Sequence, residues 1–236
     1  MSDNSASYNA NYQGYQDWSA DKSTQYTNIL NDTEMSENDP IEWVLSLLGC
    51  IMSDEYGSTG WVGEAIGHAA DDTTTIANLQ SLFSNPSAYD STPEGIQQEE
   101  QILDQTDELY TQAGNDTDPS NPFYDTDKET QSQLEAIMPP GWDFSNDNVN
   151  ADQCDAVNTY FNSEWSMAAA GNTSSLTATQ TAFNTENTNL TGTSQNLQSQ
   201  ETYLTNELEQ IEGLFKNTTQ AVSGVTSSSV RNEIPS

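Results

Sequence analysis

From Asp116 the segment DTDPSNPFYDTD places oxygen-bearing side chains at loop positions one, three, five and twelve: Asp116, Asp118, Ser120 and Asp127. Calcium is a hard cation that collects oxygen ligands, and an EF-hand loop presents them in this order, with Gly at six and Glu at twelve. Here position six is Asn121, which tolerates the turn, and Pro122 follows. Such a site is weak at best. The plainer reading is an acidic loop, so no metal is assigned.

Other chemistry has little to stand on. His68 is the single histidine and lies in a Gly/Ala-rich polar stretch, where an exposed helical residue is expected rather than a base. The chain has no nucleophile elbow, Gly-rich phosphate loop or HExxH helix. Carboxylates are so abundant that a chance pair means nothing without a pocket. No catalytic residue and no cofactor is expected, and the reading is not that of an enzyme. Cys50 and Cys154 are too few and too far apart for a disulfide framework or a zinc knuckle. Each falls on an apolar helical face, which predicts buried packing, with a single bridge as the alternative in an exported protein.

Charge restricts the partners. Lys22, Lys128, Lys216 and Arg231 stand against 37 Asp and Glu, for a formal net charge of −33. Without a basic patch, nucleic-acid backbones and anionic membrane surfaces are excluded as partners. Basic proteins, cations and further copies of the chain remain. Leu, Ile, Val and Phe make up 38 of 236 residues, below the roughly 20% of a well-cored globule. Combined with the charge, this predicts disorder, or order gained on assembly.

The elements follow from periodicity and punctuation. Residues 1–38 are rich in Ser, Asn, Asp and Tyr and lack the cationic start and apolar run of a cleaved signal. They are expected to be disordered, as a mobile tail or an uncleaved secretion address. Residues 39–225 read as a single helical domain. Asp39-Pro40 caps an apolar helix over 41–52, too short to span a bilayer. DEYGSTG breaks it, and an acidic, irregular middle occupies 53–150. Within that middle, a helix follows Thr92-Pro93, and another ends at Pro139-Pro140-Gly141. Helices over 151–222 complete the domain, and 226–236 frays. The fold class is all-α: an elongated helical hairpin or coiled coil with a long C-terminal helix and a polar middle.

The C-terminal helix carries the most regular pattern in the chain. Leu176, Phe183, Leu190, Leu197, Leu204 and Ile211 fall seven residues apart, and Leu208, Phe215 and Val222 form a second row. A seven-residue repeat marks a helix packed along one seam against another. The seam is too narrow to bury a core alone, so it is expected to lie against a partner. Gly192 and Gly213 interrupt the helix. The expected assembly interface is Trp43, Leu47 and Leu48 of the apolar helix with Leu176, Phe183, Leu190, Leu197, Leu204, Leu208, Ile211 and Phe215.

The order of parts resembles the EspA/SseB family of type III secretion filament and translocator proteins. A polar uncleaved start leads to DPIEWVLSLLGCIM, a polar middle carries SQLEAIMPPGWDF, and SQNLQSQETYLTNELEQIEGLFKNTTQAVSGV closes the chain. The resemblance implies a secreted structural protein of the bacterial surface. It would self-assemble by coiled-coil packing into an extracellular filament or needle-tip sheath. Implied partners are further copies, a secretion chaperone, and needle or translocator proteins; an integral membrane protein is not expected. A second class is a secreted helical protein of the WXG type, carried by Trp61-Val62-Gly63 between two helices and by Tyr203-Leu-Thr-Asn-Glu207. A monomeric secreted effector or host-binding module is the third.

Overall fold

The computed structural model describes residues 4–89, 92–116, 121, 123–145 and 148–232, and all regular structure among them is helical. In chain order the elements are α1 (Asn4–Leu30), α2 (Thr33–Asn38), α3 (Pro40–Ser84), α4 (Pro93–Asn115), α5 (Tyr124–Ile137), α6 (Ala151–Ala169) and α7 (Ser174–Asn232), with a 3₁₀ turn at Pro86–Ala88. The all-α class and the long C-terminal helix hold.

Local chemistry sets the boundaries. Asp39 accepts the Glu42 N–H at 3.0 Å and Thr92 the Gly95 N–H at 3.0 Å, so both expected caps form. Asn150 and Gln153 make a reciprocal capping box at the start of α6. α5 stops at Ile137, because Met138 precedes a proline and is pushed to extended backbone. Gly141, at φ 82°, completes that turn, and Gly171, at φ 93°, turns the chain out of α6.

Three segments are more helical than the sequence predicts. The stretch 1–38, expected to be disordered, carries α1 and α2. DEYGSTG does not break α3, and α7 runs through Gly192 and Gly213 to Asn232, into the tail expected to fray. Threonine hydroxyls are accommodated within α3 and α7. Thr59, Thr73, Thr181 and Thr202 each return the hydroxyl to the carbonyl four residues earlier, at 2.7–2.9 Å. A polar surface thereby satisfies its own hydroxyls without leaving the helix. Among the described residues of the middle region, those outside α-helix are 85–89 and 92, 116, 121 and 123, and 138–145 with 148–150.

The chain divides into two compact units. Unit 1 comprises Met1–Asn9 and Ala65–Asn196, and unit 2 comprises Ala10–Glu64 and Leu197–Ser236. The core of unit 1 draws Ile76, Leu79 and Phe83 from α3, Leu103 from α4, Leu134 and Ile137 from α5, Val157 and Phe161 from α6, and Leu176, Phe183 and Leu190 from α7. Phe83 is its hub. The ring meets Phe161 edge-on at 5.1 Å and Phe183 at 5.5 Å, while Trp165 donates its indole N–H to the Phe83 carbonyl at 2.8 Å.

In unit 2, α1 and α3 form an antiparallel pair. Tyr15 stacks on Trp61 at 5.1 Å and shares a hydroxyl contact of 3.0 Å with Ser58. Further along, the Cys50 thiol points to the Lys22 carbonyl at 3.6 Å, and the Trp43 indole donates to the Ile29 carbonyl at 2.7 Å. The α1 positions 15, 18, 22 and 29 lie three, four and seven apart, which is one helical face.

Candidate functional site

Unit 1 buries carboxyl groups in unusual number. Residues 65–196 contain 21 Asp and Glu but a single Lys or Arg, Lys128. Lys128 donates to the Tyr124 hydroxyl and lies 4.0 Å from the centre of that ring. Three of the buried carboxylates accept from neutral donors. Glu99 accepts from Asn158 at 2.8 Å, Asp107 from Trp142 at 2.7 Å, and Glu164 from Ser175 at 2.6 Å and Thr179 at 3.0 Å.

Four carboxyl groups, Asp116 and Glu186 buried and Asp72 and Asp127 half-buried, come from four places in the fold. Asp72 comes from α3, Asp116 follows the end of α4, Asp127 lies in the first turns of α5, and Glu186 comes from α7. Asp116 is an electrostatic neighbour of Asp127. Glu186 is 0% exposed; one oxygen accepts from the Thr130 hydroxyl and the other, Oε2, has no hydrogen-bond partner. Withdrawal from water and the neighbouring Asp72, Asp116 and Glu186 push Asp127 up to about 9. Burial first, then Glu186 and Asp71, raises Asp72 to about 7. Burial also raises Glu186 to about 7 against the stabilising Thr130 contact. Asp127 gains some relief from the positive end of α5.

Asp116 and Asp127, the two ends of the acidic loop, influence each other electrostatically, while Asp118, Ser120 and Pro122 lie outside the described residues. Asn121 accepts the Phe123 N–H at 3.0 Å and so opens α5 as an Asx turn. Among the described residues, no three His, Cys, Asp or Glu side chains are grouped so as to hold a metal ion. His68 is half-buried on α3 and lines a polar cleft of about 260 Å³ with Asp71, Asp72 and Glu108. Both cysteines are unbridged. Cys154 is buried, as expected, and its thiol is pushed up to about 12 by burial and then by Glu99; Cys50 is half-buried.

The expected interface residues separate into two groups. Leu176, Phe183 and Leu190 belong to the core of unit 1, and Leu197 is 1% exposed. This part of the heptad row is consumed within the chain, because facing helices α3 to α6 supply the second wall that a single seam lacks. Leu204, Leu208, Ile211 and Phe215 on α7, with Trp43, Leu47 and Leu48 on α3, are half-buried. Beside them, Tyr203 is 61%, Leu214 56% and Tyr56 53% exposed. Tyr203 donates to Glu207 one turn on, and Tyr56 to Glu212. Trp61-Val62-Gly63 lies inside α3 rather than between two helices, with Trp61 and Val62 buried.

A polar heptad row lies beside the apolar one. Thr179, Glu186 and Thr193 also fall seven apart, interleaved with Leu176, Phe183 and Leu190, and all three are buried. Thr193 shares a 2.7 Å hydroxyl contact with Thr126. The seam of α7 thus alternates apolar and polar layers, and counting apolar residues alone sees half of it.

No described helix is long and apolar enough to cross a membrane. Compared with known proteins, the chain matches no family model, no curated protein and no solved structure.

Proposed function

We propose that this is a structural protein that associates with copies of itself through unit 2. The carrying observation is the contrast in burial along α7. The seam is sealed from Leu176 to Leu197, whereas Leu204, Leu208, Ile211 and Phe215 are half-buried and Leu214 faces water. Among the described side chains of unit 2, the buried apolar ones are Trp61, Val62 and Leu197. Covering a Leu in a contact contributes roughly 1.5–3 kcal/mol, so the exposed stripe favours a second helix. A second copy supplies one of matching pattern, and the Asn, Gln and Thr on its flanks limit like-charge repulsion. On the order of its parts, which resembles the EspA/SseB family, the assembly is a secreted extracellular filament or needle-tip sheath of a type III secretion system. A secretion chaperone would cover the helices before export, and needle or translocator proteins would be its neighbours.

The test is sedimentation velocity across a concentration series, comparing the full chain with Leu214→Asp and Tyr203→Ser. Both positions are exposed, so these variants leave internal packing intact. Association in the parent and at least tenfold weaker association in Leu214→Asp is the expected result, since 1.4 kcal/mol is about tenfold in affinity. A parent that stays monomeric at every concentration, or variants that associate equally well, would overturn the reading.

A further inference from the structure

We infer that the cleft between α3 and α4 in unit 1 is a binding site for a small linear polyamine, an alkyl chain with an ammonium group at each end. The inference concerns unit 1 alone and does not depend on self-association through unit 2.

Two helical faces form the cleft. Asp71 and Asp72, Thr75 and Asn78 follow one another at three- and four-residue steps along α3, and Gln105, Glu108 and Gln112 do so along α4. Each set therefore shares one side of its helix. The volume of about 260 Å³ falls just below the roughly 300–1,000 Å³ of pockets for drug-sized molecules. The occupant is correspondingly small.

The chemistry of the walls asks for a donor-rich cation. Asp71, Asp72 and Glu108 bring three carboxyl groups, and no Lys or Arg lines the cleft. Among the described residues, none donates a hydrogen bond to these three side chains. Thr74 and Thr75 give their hydroxyl protons to the carbonyls of Ala70 and Asp71, at 2.9 and 3.1 Å, and so face the cleft as acceptors. Behind Asp72 stands Glu186, which is 0% exposed, adds its charge to that of Asp72 and leaves Oε2 without a hydrogen-bond partner. An ammonium group at Asp72 would offset charge that the protein itself leaves unmatched, and it offers three donors and no acceptor. The 21 acidic residues of 65–196 against one basic residue favour the approach of any cation.

The spread of the carboxyl groups selects an extended cation over a bare ion. Asp71 and Asp72 stand on one wall and Glu108 on the other, and among the described residues no three such side chains are grouped so as to hold a metal ion. A chain with a charge at each end reaches both walls separately. Leu109, 4% exposed, lies in the lining between Glu108 and Gln112 and gives the methylenes an apolar surface, as the stems of lysines find on proteins.

The test is isothermal titration calorimetry of the full chain with putrescine, a short diamine. It is run in about 0.1 M sodium chloride at about pH 8, above the value of about 7 to which Asp72 is raised. We expect saturable binding that is at least tenfold weaker in Asp72→Asn and in Glu108→Gln. Glu108 is exposed, so its variant reports on the cleft even where Asp72→Asn disturbs packing. Asp155→Asn removes an exposed charge from α6 outside the cleft and should bind as the parent does. Butylamine, with one ammonium group, should bind at least tenfold more weakly than putrescine. Absence of saturable binding, or equal weakening by Asp155→Asn, would overturn the site. Magnesium bound as tightly as putrescine and lost in the same variants would overturn the polyamine in favour of an inorganic cation. A short peptide bearing two lysines that outbinds putrescine at the same residues would overturn it in favour of a protein partner's lysines.

Discussion

Burial and the crowding of Asp72, Asp116 and Glu186 raise Asp127 to about 9, so this cluster of unit 1 favours its protonated form. The sign follows from linkage. Asp127, Asp72 and Glu186 all have folded values above their unfolded ones, at about 9, 7 and 7. The folded state therefore binds more protons, and stability falls as pH rises. Below pH about 4 both states are protonated and the groups cost nothing. The loss accumulates from there through the folded values, and levels off above about pH 9. Asp127→Asn with Glu186→Gln removes two of the three titrating groups while keeping an acceptor for Thr130. In thermal melts from pH 5 to 9, the parent should lose stability and the double variant should lose less. The variant's midpoint at pH 8 should be higher by at least about 2–4 °C, the equivalent of 1 kcal/mol at this size. Neutralising the exposed Glu209 is the control for net charge, and an equal effect from it would rule out the cluster as the cause. The sequence displayed part of this site. Asp116 and Asp127 stand at the ends of one acidic loop and drew attention by their spacing. Asp72 and Glu186 are remote in sequence, and only the packing of α3 and α7 brings them there.

At the scale of elements, α7 is one helix under two regimes. From Leu176 to Leu197 it presents Leu and Phe at one heptad position and Thr179, Glu186 and Thr193 at another, and both rows are buried. Beyond Leu197 the same period continues with half its surface wet. Truncating equivalent positions should report the difference. Phe183→Ala removes a fully buried ring touching Phe83 and should cost about 3–5 kcal/mol in denaturant unfolding. Ile211→Ala, at a half-buried position, should cost about 1 kcal/mol or less and weaken association instead. Equal losses at the two positions would mean that the outer stretch is packed as tightly as the inner one. The heptad spacing was legible because seven-residue regularity survives any composition. Part of its wall was legible too, because Ile96, Leu103 and Tyr110 in α4 fall seven apart, and Leu103 shares a core with Leu176, Phe183 and Leu190; that α3, α5 and α6 close the same core depends on how the helices pack. α1 went unread for another reason. Its face is Tyr15, Trp18, Lys22 and Ile29, spread through Ser, Asp, Gln and Thr, and its seat depends on the absence of a side chain at Gly57, where a Cβ would fall 2.1 Å from Trp18 Cη2.

For the molecule as a whole, charge and apolar surface pull in opposite directions. A chain of net charge −33 repels its own copies, and the repulsion between exposed charges is screened over about 10 Å at 0.1 M salt and about 3 Å at 1 M. The apolar stripe of unit 2 is short-ranged and is strengthened, if anything, by excluded salts. Association driven by that stripe should therefore rise with ionic strength. Lattices of ion pairs would do the opposite, and with four Lys and Arg in 236 residues few such pairs can form between copies. Light scattering at fixed protein concentration, stepped from about 0.02 to 0.5 M sodium chloride, should show the mean mass climbing. Leu214→Asp should keep the curve flat, because it adds a charge and removes the contact at once. Magnesium and sodium at matched ionic strength separate screening from bridging. Equal curves mean that salt acts by relaxing repulsion, and a response confined to magnesium would place a cation between acidic faces as the agent of assembly. A mass that falls as salt rises would show that charge holds the copies together, contrary to everything the composition of this chain favours.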